Sequence, residues 1–162
     1  DTSVHEDPSP EQLALIAKQT AATARRLGTE PRVAFASYST FGQPMSPDSR
    51  KIQEAIALLD QESCDFEYDG DMAVNVALNQ DLMQSMYPFS RLSDAANVLI
   101  MPNLAAANIG YKLLAQYADG MMISPVLQGF ERPCQIVSLS ASVQDVVNSA
   151  VIAAIQAELR LR

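Results

Sequence analysis

The chain has 162 residues, of which 48% are hydrophobic, and a formal net charge of −8. This length supports one substantial core and is short for two, so we expect a single domain over residues 1–162. The acidic balance argues against nucleic acid or an anionic membrane as partner, because both are bound through clustered Lys and Arg. Coenzyme A is an exception, since a few local cations and backbone N–H groups are enough to hold it.

Three further features bear on the compartment. Cys64 and Cys134 form no CxxC motif and no closely spaced framework, which favours a reduced, cytoplasmic setting. No segment approaches about 18 consecutive apolar residues, so we expect no membrane span. The first residues also lack the charged and apolar pattern of an export leader.

The first predicted helix runs from Pro10 to about Leu27. Ser9, Pro10 and Gln12 have the spacing of a capping box with proline at the first helical position. Apolar residues then recur at intervals of three and four, and Gly28 stands where a left-handed terminator belongs.

The remaining chain alternates predicted strands and helices. Arg32–Ser37 is apolar on both faces, as a strand covered on both sides requires. The other elements, in order, are helix Ser49–Leu59, strand Phe66–Tyr68, helix Met72–Met86, loop Tyr87–Ala95, strand Asn97–Met101, helix Leu104–Tyr117, strand Met121–Ser124, strand Cys134–Val137 and helix Val143 to about Leu159. This order predicts an α/β fold, a three-layer α/β/α sandwich around a mostly parallel sheet.

Polar residues follow four of the predicted strands, where a parallel sheet places its ligands. Ser37, Ser39 and Thr40 precede Gly42, and hydroxyls with free backbone N–H groups can cradle a phosphate, although they are also ordinary loop formers. The other three positions are Pro102-Asn103, Ser124-Pro125 and Ser138–Ser142. We therefore expect one cleft at the converging strand ends.

Metal and triad chemistry have little support. His5, the single histidine, has no Ser or Cys partner of recognisable spacing, and we interpret it as a loop residue. Asp69 and Asp71 flank Gly70, which is more simply explained by a turn before a helix than by a metal site.

Several short motifs occur in a fixed order and point to a family. They are Ser37-Tyr38-Ser39-Thr40-Phe41-Gly42, Met101-Pro102-Asn103, Asn108-Ile109-Gly110-Tyr111-Lys112, Ser124-Pro125-Val126-Leu127-Gln128-Gly129 and Ser138. In order and spacing they resemble the phosphate acetyltransferases over essentially the whole chain. The resemblance implies the second subdomain of a transferase module with an isocitrate/isopropylmalate dehydrogenase-like fold, whose N-terminal half is absent here.

Two positions depart from the active transferases. Those enzymes carry arginine where this chain has Gln116, and a Ser-Arg pair where it has Ser138-Leu139. A phosphate in a partly dry cleft needs a fixed cation, and loss of such a group lowers turnover by ~10²–10³. Without its arginines, the pattern resembles the C-terminal domain of the large bacterial NADP-dependent malic enzymes, and it implies acetyl-CoA sensing without transferase catalysis.

The resemblance also implies the residues that contact acetyl-CoA. They are Ser37, Ser39, Thr40, Asn103, Asn108, Tyr111, Lys112, Pro125, Gln128, Gly129, Ser138 and Asp145. Structural roles stay open beside this: Asn103 is a good helix cap, Asp145 suits the first turn of a helix, and Lys112 suits a solvated surface. No cofactor is expected in this segment, because NADP, a divalent metal and malate would belong to the absent catalytic domain.

Three functions follow from these observations. The first is a regulatory domain that binds acetyl-CoA, controls the oxidative decarboxylation of malate to pyruvate and supports a homo-oligomer. The second is an active phosphate acyltransferase that converts acyl-CoA and phosphate to acyl phosphate and CoA, with Lys112 or Arg132 replacing the arginines. The third is an oligomerisation module without ligand, favoured by the last helix, whose apolar stripe is Val143, Val146, Val147, Ala150, Val151 and Ala154, with Ile152 and Ile155 outside it.

Overall fold

A computed structural model describes residues 1–118, 123 and 125–160, without the side chains of 159 and 160. The helices and strands are α1 Pro10–Arg26, β1 Arg32–Ala36, α2 Pro47–Gln61, β2 Glu67–Met72, α3 Val74–Ala77, α4 Gln80–Met86, β3 Val98–Ile100, α5 Leu104–Tyr117 and α6 Val143–Arg160. The chain divides into two compact units, Asp1–Gly110 and Tyr111–Arg162, so that α5 begins in the first and ends in the second. The single domain expected from the sequence stays a prediction.

The first unit contains a three-stranded sheet. β1 lies in the centre and pairs in parallel with β2 and β3, and Val33 stands opposite Tyr68 on one side and Val98 on the other. Because all three strands run in the same direction, their carboxyl ends meet at one edge. The predicted α/β fold with a parallel sheet is confirmed.

Helices cover both faces of this sheet. Val33 and Phe35 pack with buried residues of α1 and α2, whereas Ala34 packs with residues of α3, α4 and the loop that follows α4. Alternate side chains of a strand point to opposite faces, so β1 needs apolar residues throughout. This produces the layered packing that the sequence predicts.

Local signals set the ends of the long helices. Ser9 and Gln12 form a capping box at α1, and Ser46 and Ser49 form another at α2, each with proline at the first position. α1 ends in a Schellman motif, since the N–H groups of Gly28 and Thr29 bond the carbonyls of Arg25 and Ala24. The predicted bounds of α1 are confirmed, whereas α2 begins before the predicted Ser49 because Ser46-Pro47 repeats the start signal.

β2 corrects two predictions. The predicted strand Phe66–Tyr68 ends too early, because β2 runs to Met72 and includes Asp69, Gly70 and Asp71, where a turn was expected. The strand tolerates these carboxylates because loops supply donors to both. Asp69 accepts hydrogen bonds from Ser90 Oγ at 3.0 Å and Arg91 N at 2.7 Å, and Asp71 accepts one from Gly42 N at 3.0 Å.

The predicted helix Met72–Met86 is also wrong as one element. It forms the two helices α3 and α4, because Asn79 Oδ1 accepts a hydrogen bond from Leu82 N at 3.0 Å and begins a new helix. An asparagine inside a helical pattern competes in this way as an N-cap. The predicted loop Tyr87–Ala95 and strand Asn97–Met101 match the structure, with β3 shorter than predicted.

The second unit contains the end of α5 and all of α6. The predicted strand Met121–Ser124 lies outside the described residues except for Ile123. The predicted strand Cys134–Val137 is not formed in the described part of this unit, where Gln135 makes only an isolated antiparallel bridge with Val126. Ile136 and Val137 are exposed, so they lack the covering layer that would stabilise a strand. Among the described residues, no helix is long and apolar enough to cross a membrane.

Candidate functional site

The loop after β1 lies at the carboxyl edge of the sheet, where the sequence predicts a phosphate cradle. Most of its backbone N–H groups already have partners inside the protein. Ser37 N bonds Met72 O at 2.8 Å, Phe41 N bonds Asp71 O at 2.6 Å and Gly42 N bonds Asp71 Oδ1 at 3.0 Å. Thr40 and Gln43 also bond each other through both N–H groups. These N–H groups are therefore not available to a phosphate.

The three hydroxyls of this loop differ in their surroundings. Ser39 is buried, its Oγ donates to Asp71 Oδ2, and it lies 3.0 Å from Ser37 Oγ. Thr40 is also buried, and its Oγ1 accepts a hydrogen bond from Ala73 N at 3.0 Å. Ser37 is partly exposed. Of the three predicted contacts, Ser37 is the hydroxyl that a ligand can reach.

Two predicted asparagines hold structural bonds in the first unit. Asn103 Oδ1 accepts a hydrogen bond from Ala106 N at 2.9 Å, which confirms its capping role at α5. Asn108 Nδ2 donates to Thr2 O at 3.0 Å and so ties α5 to the beginning of the chain. A second role in ligand contact stays a prediction for both residues.

α5 carries three of the residues singled out in the second unit. Tyr111 is partly buried, whereas Lys112 and Gln116 are exposed. No carboxylate within the described ranges forms an ion pair with Lys112. Within those ranges its ammonium therefore lacks ion pairs such as those that Asp7 and Asp48 form with Lys51.

Gln128 has an unusual environment. Its Nε2 is buried and has no hydrogen-bond partner, and it is the single buried side-chain nitrogen or oxygen in this condition among the described residues. A buried donor without an acceptor costs about 1–3 kcal/mol, so an acceptor oxygen brought by a ligand would be stabilised there. Pro125 is partly buried, and Gly129 has a φ of 86°, which favours glycine.

The segment before α6 is open to solvent. Ser138 Oγ lies 2.9 Å from Ser140 Oγ, and the neighbouring Leu139 is fully exposed at 111%. Asp145 and Ser142 form a capping box at the start of α6, with Ser142 N and Oγ both 2.8 Å from Asp145 Oδ2. Hydrogen bonds from the backbone and then the hydroxyl of Ser142 lower the pKa of Asp145. The expected first-turn position of Asp145 is confirmed.

Other parts of the described structure give less support for a binding or catalytic site. Among the described residues, no group of three or more His, Cys, Asp and Glu is arranged to hold a metal ion. His5 lies in a loop as predicted, with Nδ1 2.6 Å from Asp1 Oδ2. An open groove of about 430 Å³ lies at the amino ends of β1 and β2 and is lined by residues that include Arg32, Cys64 and Glu67. The cleft predicted from the sequence lies at the opposite, carboxyl ends of the strands.

Comparison with known proteins identifies the family. Residues 1–154 match the family model described as phosphate acetyl/butaryl transferase. The chain belongs to this family. The resemblance inferred from the short motifs is confirmed.

Relatives of this transferase family fall into two groups. An NADP-dependent malic enzyme of Rhizobium meliloti (strain 1021) is 48% identical over 157 residues, which cover 97% of this chain and 20% of that protein. A phosphate acetyltransferase of Clostridium acetobutylicum is 35% identical over 159 residues, which cover 98% of this chain and 48% of that protein. Malic enzymes therefore carry a domain of this transferase type, and the chain spans about a fifth of that relative's length.

Solved structures support the same fold. A phosphotransacetylase from Streptococcus pyogenes matches with a TM-score of 0.91 and 32% identity, over 97% of this chain and 48% of that one. The chain thus spans about half of that transferase. That it is the second half of a longer module stays a prediction.

The sequence-based prediction gives Asp71 only a role in a turn, whereas this residue holds the loop after β1 through Ser39 and Gly42. A carboxylate next to glycine is a typical turn signal, and its hydrogen-bond partner Ser39 lies 32 positions away. The available signal was the hydroxyl-rich loop itself, because short hydroxyl side chains after a buried strand need acceptors.

Proposed function

We propose that this chain is an acetyl-CoA-sensing domain without transferase activity that regulates a malic enzyme and supports its assembly. The single observation that carries the loss of activity is Leu139. At the position where the resemblance places an arginine, this side chain is apolar and fully exposed at 111%. Gln116 replaces the second arginine with an uncharged group. Without fixed cations, the desolvation of a bound phosphate goes uncompensated.

The malic enzyme context rests on the relatives. The R. meliloti relative is 48% identical to this chain, whereas the C. acetobutylicum transferase is 35% identical. In this proposal NADP, the divalent metal and malate bind the larger remainder of the protein in the cytoplasm. Acetyl-CoA bound to this domain inhibits malate decarboxylation there.

Acetyl-CoA is the effector because two groups suit it. Lys112 offers an exposed cation for a diphosphate, and the orphaned Nε2 of Gln128 offers a donor for a carbonyl or phosphate oxygen. Each group belongs to the second unit, and neither is occupied by a partner within the described residues.

The test uses the full-length enzyme. Lys112→Ala removes a charge-assisted contact worth about 1.5–3 kcal/mol, so the acetyl-CoA inhibition midpoint should rise about tenfold or more while uninhibited malate turnover stays near normal. Arg26→Ala, an exposed cation on α1, is the matched control and should leave the midpoint in place. If Lys112→Ala and Ser138→Ala both leave the inhibition curve unchanged, the proposed acetyl-CoA contacts are wrong.

The alternative of an active phosphate acyltransferase gives a separate result. A coupled assay for acetyl phosphate should detect no synthesis by the unaltered enzyme. Because groups on the same phosphate act together, Gln116→Arg with Leu139→Arg should do more than either change alone. Robust synthesis without any substitution would favour the active transferase.

The exposed apolar residues of α6 favour the alternative of an assembly module. In α6 the side chain of Ile152 is buried beside Ser149, whereas Val143, Val147 and Val151 are exposed. The predicted apolar stripe therefore faces outward. Exposed apolar surface of this kind marks interaction sites, so we include assembly in the proposed function, with a second copy of the chain as the partner.

A further inference from the structure

Asp71 is a wholly buried carboxylate whose partners are neutral. Its exposed fraction is 0%, and its oxygens accept hydrogen bonds from Gly42 N at 3.0 Å and from Ser39 Oγ. No cation pairs with it in the part of the chain that the structure describes. Burying a carboxylate is costly unless it is hydrogen-bonded, so these two donors hold it in place.

The carboxylate fixes the direction of a chain of hydrogen bonds. Asp71 Oδ2 accepts the hydrogen bond of Ser39 Oγ, and a serine hydroxyl has one proton to donate. Ser39 Oγ therefore donates its hydrogen bond to Asp71. In the 3.0 Å contact between Ser39 Oγ and Ser37 Oγ, the hydroxyl of Ser37 is then the donor. Ser39 N also donates to Ser37 Oγ at 3.4 Å. Ser37, the partly exposed end of the relay, is left with a lone pair that can accept a hydrogen bond and with no proton free to donate one.

We propose that the relay from Ser37 through Ser39 to Asp71 makes Ser37 a hydrogen-bond acceptor that selects an N–H or O–H donor of the ligand and not a phosphate oxygen. This inference rests on the proposed binding of acetyl-CoA and reverses the polarity expected of a phosphate cradle. The N–H groups of the same loop support this acceptor role, because they are hydrogen-bonded inside the protein and cannot hold a phosphate. Acetyl-CoA carries suitable donors in its pantetheine amides and in its adenosine part.

Calorimetric titration of the full-length enzyme tests the polarity. Ser37→Ala should weaken acetyl-CoA binding about fivefold, the effect of one hydrogen bond. Ser85→Ala, an exposed serine on α4, is the matched control and should change nothing. Acetylpantetheine and adenosine, titrated separately, show which part supplies the donor, because Ser37→Ala should weaken one of them and leave pyrophosphate unaffected.

Asp71→Asn tests the relay itself. Its amide would donate to Ser39 and turn the Ser37 proton outward, so acetyl-CoA should bind at least fivefold more weakly, and adding Ser37→Ala should cause no further loss. Ser37→Ala decides the question if Asp71→Asn does not fold, because Ser37 is partly exposed and belongs to neither hydrophobic cluster.

The outcomes separate the inference from the proposed function. If Ser37→Ala weakens pyrophosphate alone, or leaves acetyl-CoA unchanged, the acceptor role is wrong although the domain still senses acetyl-CoA. If the unaltered enzyme binds no acetyl-CoA, the proposed function fails and this inference fails with it.

Discussion

The two compact units of the chain differ in how many apolar side chains they bury. In Asp1–Gly110 a cluster of apolar residues from α1, α2 and the sheet is buried, and Phe35 is among its members with no exposed surface. In the described part of Tyr111–Arg162 only Ser149 and Ile152 are buried, while valines of α6 face outward. The first unit therefore has a core of its own. The described part of the second buries too little apolar surface to form such a core.

The largest expected effect breaks the core of the first unit. Phe35→Ala removes a fully buried ring, so the free energy of unfolding should fall by about 3–5 kcal/mol. Chemical denaturation measures it. Tyr38→Ala, three positions later in the same segment but 70% exposed, is the control and should have a small effect. Equal losses would contradict the assignment of the core.

A smaller effect concerns the outward face of the second unit. Val147→Asp places a charge on exposed apolar surface of α6, and self-association should weaken about tenfold or more, as for a residue central to an interface. Sedimentation of the full-length enzyme over a concentration series measures it. Leu15→Asp on α1, also exposed, should leave association unchanged. A species that is monomeric before any substitution would remove the assembly role.

Removing the N-cap hydroxyl of one helix in each unit tests whether the two units unfold together. Ser9→Ala and Ser142→Ala each remove the hydroxyl of a capping box, which costs about 1 kcal/mol. We expect the loss at Ser9 to appear in global unfolding and the loss at Ser142 to appear as faster hydrogen exchange in α6. If Ser142→Ala lowers global stability as much as Ser9→Ala, the second unit is part of the same cooperative core.

The smallest effect is confined to high pH. Burial, followed by the hydrogen bond to Asp60, raises the pKa of Tyr68 from 10.0 to about 12. Between these values an unfolded tyrosine loses its proton while Tyr68 keeps it, so the free energy of unfolding should fall as the pH rises. The contribution is fully present below pH 10. Denaturation across this range should show a shallower decline in Tyr68→Phe, and identical slopes would contradict the shift.

Sequence alone predicts those elements whose signals are local. α1 is placed correctly because Ser9, Gln12 and Gly28 act within a few residues of its ends. The extent of β2 is missed because the donors that accommodate Asp69 come from Ser90 and Arg91, distant along the chain.

The candidate site shows the same limit. The sequence identifies the hydroxyls of Ser37, Ser39 and Thr40, but not that two of them are buried and bonded. The burial and bonding of Ser39 involve Asp71, which is 32 positions away in sequence and is brought to the loop by the pairing of β2 with β1. Leu139 is different, because the loss of a charged group is visible in the sequence itself.

The central position of β1 has a consequence for the order of folding. β1 is made first, yet both of its neighbours follow it, and the hydrogen bond from Arg32 N to Asn97 Oδ1 spans 65 positions. Such non-local pairing is slow and leaves apolar surface exposed while the chain is incomplete. During synthesis α1 can shield the Val33 and Phe35 face early, whereas the Ala34 face waits for α3 and α4. A ribosome-bound chain that ends before α3 therefore has only α1 and α2 to cover the sheet, and its Ala34 face stays exposed.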